Sequence, residues 1–357
     1  MPASGTLENS RFTAAKPRMI PAPAPSRQPP AWQRALQQAI TDPAELLEVV
    51  GLGREWLEPA RAAARLFPLK VPRGYAARMR RGDPRDPLLL QVLPLGLECR
   101  ELPGYVADPV GDLAARAGAG VLRKYHGRAL LITTGACAVH CRYCFRRHFP
   151  YEVDNASRAE FGPALEVLRG DATIREVILS GGDPLTLADR RLAVLLEALG
   201  GIAQLRRLRL HTRLPIVLPE RIDAGFLELW SAVRLQKVVV VHANHASELD
   251  APVRAALARL RAAGSTVLNQ SVLLRGVNDD PGTLVELSES LFEAGVLPYY
   301  LHLLDPVAGA AHFDVPEDAA RRLLAQVEAR LPGYLVPALV RESPGAPSKT
   351  RLPPASR

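Results

Sequence analysis

From residue 129 onward, short apolar runs alternate with longer stretches in which Leu and Ala recur at helical spacing. The runs are Ala129–Thr134, Glu176–Ser180, Arg206–His211, Lys237–His242, Thr266–Ser271 and Leu297–Leu303, and their composition and length predict strands. Between them, segments such as Arg190–Leu199, Ala251–Ala263 and Pro281–Ala294 place apolar residues every three or four positions, the period of a helix with one buried face. Strand–helix alternation joined by right-handed crossovers builds a parallel sheet. Six such units predict an α/β fold, an open and partial (β/α)6 barrel.

The pattern before residue 129 is different. Residues 1–30 are rich in Pro, Ala and Ser, and Pro21, Pro23, Pro25, Pro29 and Pro30 break any regular element, so a disordered tail is predicted there. From Ala31 the pattern turns helical, with Trp32, Leu36 and Ile40 at a spacing of four. Thr41-Asp-Pro-Ala-Glu-Leu-Leu then offers a cap, an early proline and apolar positions for a second helix. The chain is accordingly divided into a tail (1–30), a helical extension (31–122), a barrel (123–335) and a short C-terminal segment (336–357).

Composition narrows the setting. At 357 residues and 48% hydrophobic content the chain is long enough for one large core. No apolar run reaches the length of a membrane span and the N-terminus has no signal-peptide core, which predicts a cytoplasmic protein with no membrane partner. The formal charge of +8 and a pI near 9.6 raise the question of nucleic acid. The arginines are scattered over many segments without a Lys/Arg block, so a solvated basic surface is the reading, with no direct nucleic-acid contact.

Unusual polar residues follow the predicted strands, where α/β barrels keep their chemistry. Ser180-Gly-Gly-Asp183, His211-Thr-Arg213, His242-Ala-Asn-His245, Gln270, Asn278-Asp279 and Asp305 each lie at the end of a run or soon after it. Taken singly, each has a plain structural explanation as a turn, a core histidine or a helix cap. Directly after the first run, Cys137, Cys141 and Cys144 form a C-x3-C-x2-C loop. Three thiolates suit a soft-ligand metal or an iron–sulfur cluster. Zinc completed by His140 or His148 is the alternative, although no second Cys pair stands at a distance. Cys99 stands alone and is expected to be a buried thiol.

The cysteine spacing resembles the signature of radical S-adenosylmethionine (SAM) enzymes. The wider set of motifs resembles the lysine 2,3-aminomutase family within them, closest to the short bacterial branch linked to elongation factor P. That resemblance runs from about Trp32 to Thr350 and rests on Lys124–Leu131, Cys137–Tyr151, Ser180–Leu185, Leu214–Ile222, His242–Glu248, Leu268–Leu274, Pro298–Asp305 and Pro344–Thr350. It implies a [4Fe-4S] cluster, SAM and pyridoxal 5'-phosphate (PLP), and a 5'-deoxyadenosyl-radical, PLP-dependent 1,2-amino shift converting L-lysine to β-lysine, with the R form expected.

Site roles follow from the resemblance residue by residue. Cys137, Cys141 and Cys144 are implied as cluster ligands, Lys349 as the PLP lysine, and Arg128 with Lys124 as phosphate partners. Gly181, Gly182 and Asp183 are implied near SAM, with Gln270 and His242 as further SAM contacts. Arg146 is implied as the clamp on the substrate carboxylate, and Asp305 and Glu342 as partners of its ε-ammonium. Glu342 departs from the aspartate of the free-lysine enzymes, and the chain lacks the zinc-binding cysteines of the longer ones. Implied partners are L-lysine, an electron donor such as flavodoxin or ferredoxin, and a functional link to elongation factor P and its lysine ligase. Two further readings remain open at the level of sequence: the same cofactors acting on another amino acid, and a zinc-stabilised protein binding RNA or a ribosomal factor.

Overall fold

Seven parallel strands in strict chain order form the scaffold of this computed structural model, which describes residues 29–355. The tail expected over 1–30 therefore lies outside the described residues, Pro29 and Pro30 excepted. The strands are β1 (Val121–Leu122), β2 (Arg128–Thr134), β3 (Glu176–Gly181), β4 (Arg207–Thr212), β5 (Gln236–Val241), β6 (Ser265–Val272), β7 (Leu297–His302), β8 (Ala338–Arg341) and β9 (Thr350–Arg351). They lie side by side in one sheet in that order, parallel from β2 to β8, with β1 and β9 antiparallel at the two edges. Sequential order among parallel strands is what strand–helix–strand crossovers produce. β1 and β9 end the sheet instead of pairing with each other, so the barrel stays open.

All six predicted strands are present, with ends shifted by a residue or so. The helices Asp189–Gly200, Ala251–Ala262 and Pro281–Glu293 match the three predicted segments. One parallel strand is additional: β8 pairs with β7 after the helix Glu317–Glu328. The C-terminal segment is thus woven into the sheet.

In the extension, Asp42 caps the helix Pro43–Val50 through Ala44 N, and Gly51, with φ of 70°, ends it. The first helix is shorter than its periodicity predicted. It stops at Gln37, and Ile40 instead exchanges two backbone hydrogen bonds with Val71. Asp42, directly before Pro43, is extended (φ −97°, ψ 124°), as proline demands of its predecessor, so the first helix cannot run on into the second. Trp32, Tyr75, Leu88, Leu89 and Val92 of the extension belong to the same buried cluster as Leu179, Leu210 and Val239 of the sheet. Extension and barrel share one core.

Candidate active site

Alternate residues of a strand face one side of the sheet, and here the inward positions are strongly polar. Ser180, Arg209, His211, Gln270, Tyr300 and His302 line one cavity of about 790 Å³, together with the three loop cysteines and Lys349. The cavity runs the depth of the sheet. Arg128 opens β2 at one end, while Gly181, Thr212 and His302 close β3, β4 and β7 at the other.

The cysteine loop is fastened to the extension. His140 N donates to Lys70 O (2.9 Å) and Arg142 N to Gln91 O (2.9 Å). Buried Glu98 accepts from Arg142 Nε (2.8 Å) and Nη2 (2.6 Å) and from Arg147 Nη2 (2.8 Å), and both guanidinium groups lie over the Phe67 ring. Charge-assisted pairs in a dry site hold geometry firmly because breaking one strands a buried charge. Tyr151, at the loop's far end, packs against Gly135 at its start and donates to Gly181 O (2.8 Å).

All three thiols face the cavity, although among the described residues no three Cys, His, Asp or Glu side chains are drawn together tightly enough to hold a metal ion. Burial raises the Cys137 thiol well above its ordinary range, with Cys144, Asp183 and Cys141 adding to the effect. Burial and then Cys141 raise Cys144 to about 11. Three soft donors on one loop form a set that cationic iron would deprotonate and gather. The histidines that a zinc site would need are turned to backbone carbonyls: His140 Nδ1 to Pro68 O (2.8 Å) and His148 Nε2 to Ala308 O (3.2 Å). Cys99, expected to be buried, is exposed. It closes a short turn whose inward position is taken by Glu98.

The Gly181-Gly182 pair has a structural duty. Gly181 has φ of 120°, and a Cβ there would lie 2.6 Å from Thr134 O. A Cβ on Gly182 would lie 2.3 Å from Ala136 O. Both glycines let the end of β3 press against the root of the cysteine loop. Asp183 accepts from Thr212 Oγ1 (2.7 Å), Arg213 N (2.7 Å) and Leu185 N (3.0 Å). Its carboxylate is occupied in joining two strand ends, and burial raises it to about 6 against those hydrogen bonds.

A chain of alternating charges crosses the cavity. β8 and β9 form a hairpin with Arg341 opposite Thr350, so Glu342 and Lys349, the next residues inward, face each other and form an ion pair. Glu342 Oε1 also accepts from Lys124 Nζ (2.8 Å), which pairs with Asp112 Oδ1 at 2.6 Å. Asp112 Oδ2 accepts from Arg146 Nε (2.6 Å), and Arg146 Nη1 donates to Ser180 Oγ (3.1 Å). Burial works against the Glu342 carboxylate, yet Lys349 and Lys124 hold it down to about 2. Asp305, just past β7 and beside Glu342, is raised to about 7 by burial and then by that carboxylate.

Lys124 is therefore already held by two carboxylates and the Val110 carbonyl, a poor arrangement for meeting a phosphate. Arg128 makes no ion pair among the described residues and lies with its Cζ 5.1 Å from the Tyr125 ring. Asp112 was not singled out by sequence, since nothing local marks an aspartate in a loop far from Arg146.

Three polar atoms in the cavity wall, His211 Nε2, Gln270 Nε2 and His302 Nε2, are buried without a partner among the described residues. Burial pushes His211 and His302 well below the usual histidine range and His242 to about 4, so all three rings are neutral near pH 7. Unpartnered buried polar groups are costly and few in folded proteins, and several around one cavity fit a polar ligand. His302 and Tyr300 were missed by sequence reasoning, although their alternation on β7 was a visible signal.

No protein-family model matches the chain. The chain is 48% identical to a protein named L-lysine 2,3-aminomutase from Escherichia coli (strain K12), over 92% of this chain and 95% of that protein. It is 44% identical to a protein of the same name from Haemophilus influenzae, over 93% and 98%. A third of that name, from Clostridium subterminale, is 30% identical over 90% of this chain and 78% of the relative. Among solved structures, a radical SAM methyltransferase from Sphaerobacter thermophilus aligns with a TM-score of 0.42 and 18% identity, over 62% of this chain and 68% of the other.

Proposed function

We propose that this chain, which belongs to the L-lysine 2,3-aminomutase family, converts L-lysine to β-lysine by radical SAM chemistry, using a [4Fe-4S] cluster, SAM and PLP. The observation that carries the proposal is the ion pair of Lys349 with Glu342, beside Asp305 and inside the cavity that the three cysteines share. A primary ammonium already rests on Glu342, one of the two acids proposed to receive the substrate's ε-ammonium. An acidic side chain in the same place would meet two carboxylates, which disfavours glutamate as substrate.

Cys137, Cys141 and Cys144 would hold the cluster, Lys349 would hold PLP, and Arg128 would meet its phosphate as a guanidinium without a competing carboxylate. When bound, these groups supply the one-electron chemistry that opens an unactivated C–H bond and the conjugated system that lets an amino group shift. The protein's own part is orientation. Asp112 and Ser180 fix the plane of Arg146, so that its guanidinium can clamp the substrate carboxylate. Glu342 and Asp305 take the far ammonium, which sets the length of amino acid that spans both clamps. Gly181, Gly182 and Asp183 shape the wall beside the cysteine loop where SAM would sit, with His242 and Gln270 on neighbouring strand ends. The three neutral histidines line the wall without bringing a competing cation.

Anaerobic incubation of the reconstituted protein with L-lysine, SAM, PLP and a reductant should yield β-lysine. SAM cleavage without β-lysine would refute the assignment. Chiral analysis of the product tests the R form, and transfer of the product by the lysine ligase onto elongation factor P tests the proposed destination. A flavodoxin or ferredoxin is proposed as the electron donor and the cytoplasm as the setting. Among the described residues no helix is long and apolar enough to cross a membrane.

A further inference from the structure

One guanidinium outside the substrate clamps touches a cysteine sulfur. Arg213, directly after β4, donates from Nη1 to Cys141 Sγ at 2.7 Å. Its Nη2 donates to Gln91 Oε1 (2.6 Å), Glu248 Oε2 (3.0 Å) and the Tyr75 hydroxyl (3.3 Å). The Tyr75 and Tyr143 rings flank it, each with its centroid 5.6 Å from Cζ. Glu248 is fully buried and is pinned in turn by Gln91 Nε2 (3.2 Å) and Asn244 N (2.7 Å). Neither charge has room to leave without breaking several hydrogen bonds.

Hydrogen bonds to ligating sulfurs and buried charge near them are principal determinants of an iron–sulfur potential. Adding an electron makes the cluster more negative, so a fixed cationic donor stabilises the reduced state more than the oxidised one. The effect is strong where water is excluded. A buried carboxylate behind the donor partly offsets it.

We propose that Arg213, held by Glu248, Gln91 and Tyr75, is a positioning residue that acts through the Cys141 sulfur to raise the reduction potential of the cluster. The inference rests on the reading of Cys137, Cys141 and Cys144 as cluster ligands. It also gives the helical extension a role in the redox step, since Tyr75 and Gln91 belong to it.

The test is an electron-paramagnetic-resonance redox titration of anaerobically reconstituted full-length protein without SAM, with iron and sulfide quantified in each sample. Arg213→Gln should lower the potential and Glu248→Gln should raise it, with Arg213→Lys between Arg213→Gln and the unmodified protein. Each of the first two should change the one-electron reduction equilibrium about tenfold, or about 59 mV. Opposite signs separate electrostatic tuning from general damage, which has no reason to reverse between the two variants. Equal potentials in variants with full cluster content would overturn the inference. So would a shift seen only after SAM is added, because the arginine would then be answering SAM. If Arg213→Gln does not retain a cluster, Glu248→Gln decides alone, and an unchanged potential there counts against it. Failure of the unmodified protein to take up a [4Fe-4S] cluster would remove the cluster reading and this inference together, whereas a normal cluster with unmoved potentials removes only the latter.

Discussion

Asp305 is a carboxyl whose protonation matters for both folding and binding. Burial and Glu342 raise it to about 7, with Lys349 and Lys124 pulling the other way. Between the ordinary aspartate value of about 4 and about 7, the folded protein keeps a proton that the unfolded chain has released. Stability then falls as pH rises through that window, and the full cost of the ionised form is present above about 7. Asp305→Asn should therefore stabilise the ligand-free protein more at pH 8 than at pH 5, raising the melting temperature by the equivalent of roughly 2–3 kcal/mol more at the higher pH. A melting difference that is the same at both pH values would contradict this. The same variant should raise KM for lysine at least about tenfold, the worth of one charge-assisted hydrogen bond. Lys349→Ala tests the other side of the same pair: it should abolish any reducible PLP–protein linkage while leaving iron content unchanged. A linkage persisting at another lysine would move the assignment.

At the scale of elements, the junction of β3 with the cysteine loop is the tightest point near the site. A methyl on Gly182 has nowhere to go, because the atoms it would meet are backbone atoms of Gly135 and Ala136. Gly182→Ala should push the loop away from β3, lower stability by about 2 kcal/mol or more, and reduce iron bound per chain after reconstitution. Normal iron loading would show that the contact is not needed to seat the loop. The elements around this junction were legible in sequence because their signals are local: β-rich runs, a glycine pair, cysteines with three and two residues between them. β8 was not, since four residues between a Pro-Gly turn and another turn carry too little periodicity. Its effect is nevertheless large, for the β8–β9 hairpin is what puts Lys349 against Glu342. The Asp112, Lys124 and Arg146 contacts escaped for a related reason. Their partners are separated by long loops, and only the folded sheet brings them within hydrogen-bond reach.

Across the whole molecule, the division into extension and barrel drawn from sequence periodicity does not correspond to a division in the core. Trp32 packs under the Arg221 guanidinium at 4.4 Å, and Arg221 is fully buried and donates to Leu185 O (2.7 Å) in the barrel. Glu98 neutralises two arginines of the cysteine loop, and Gln91 meets both Arg213 and Glu248. Removing the extension would uncover apolar core surface and leave several buried charges without partners, each a cost of several kcal/mol. Units coupled this strongly unfold together. Scanning calorimetry on the full chain should give one transition with equal calorimetric and van't Hoff enthalpies, and Glu98→Gln should shift that single transition downward by the equivalent of about 3–5 kcal/mol. Two separable transitions, with Glu98→Gln moving only the lower one, would mean that the extension folds independently. In that case the cysteine loop would be held in place by the barrel alone.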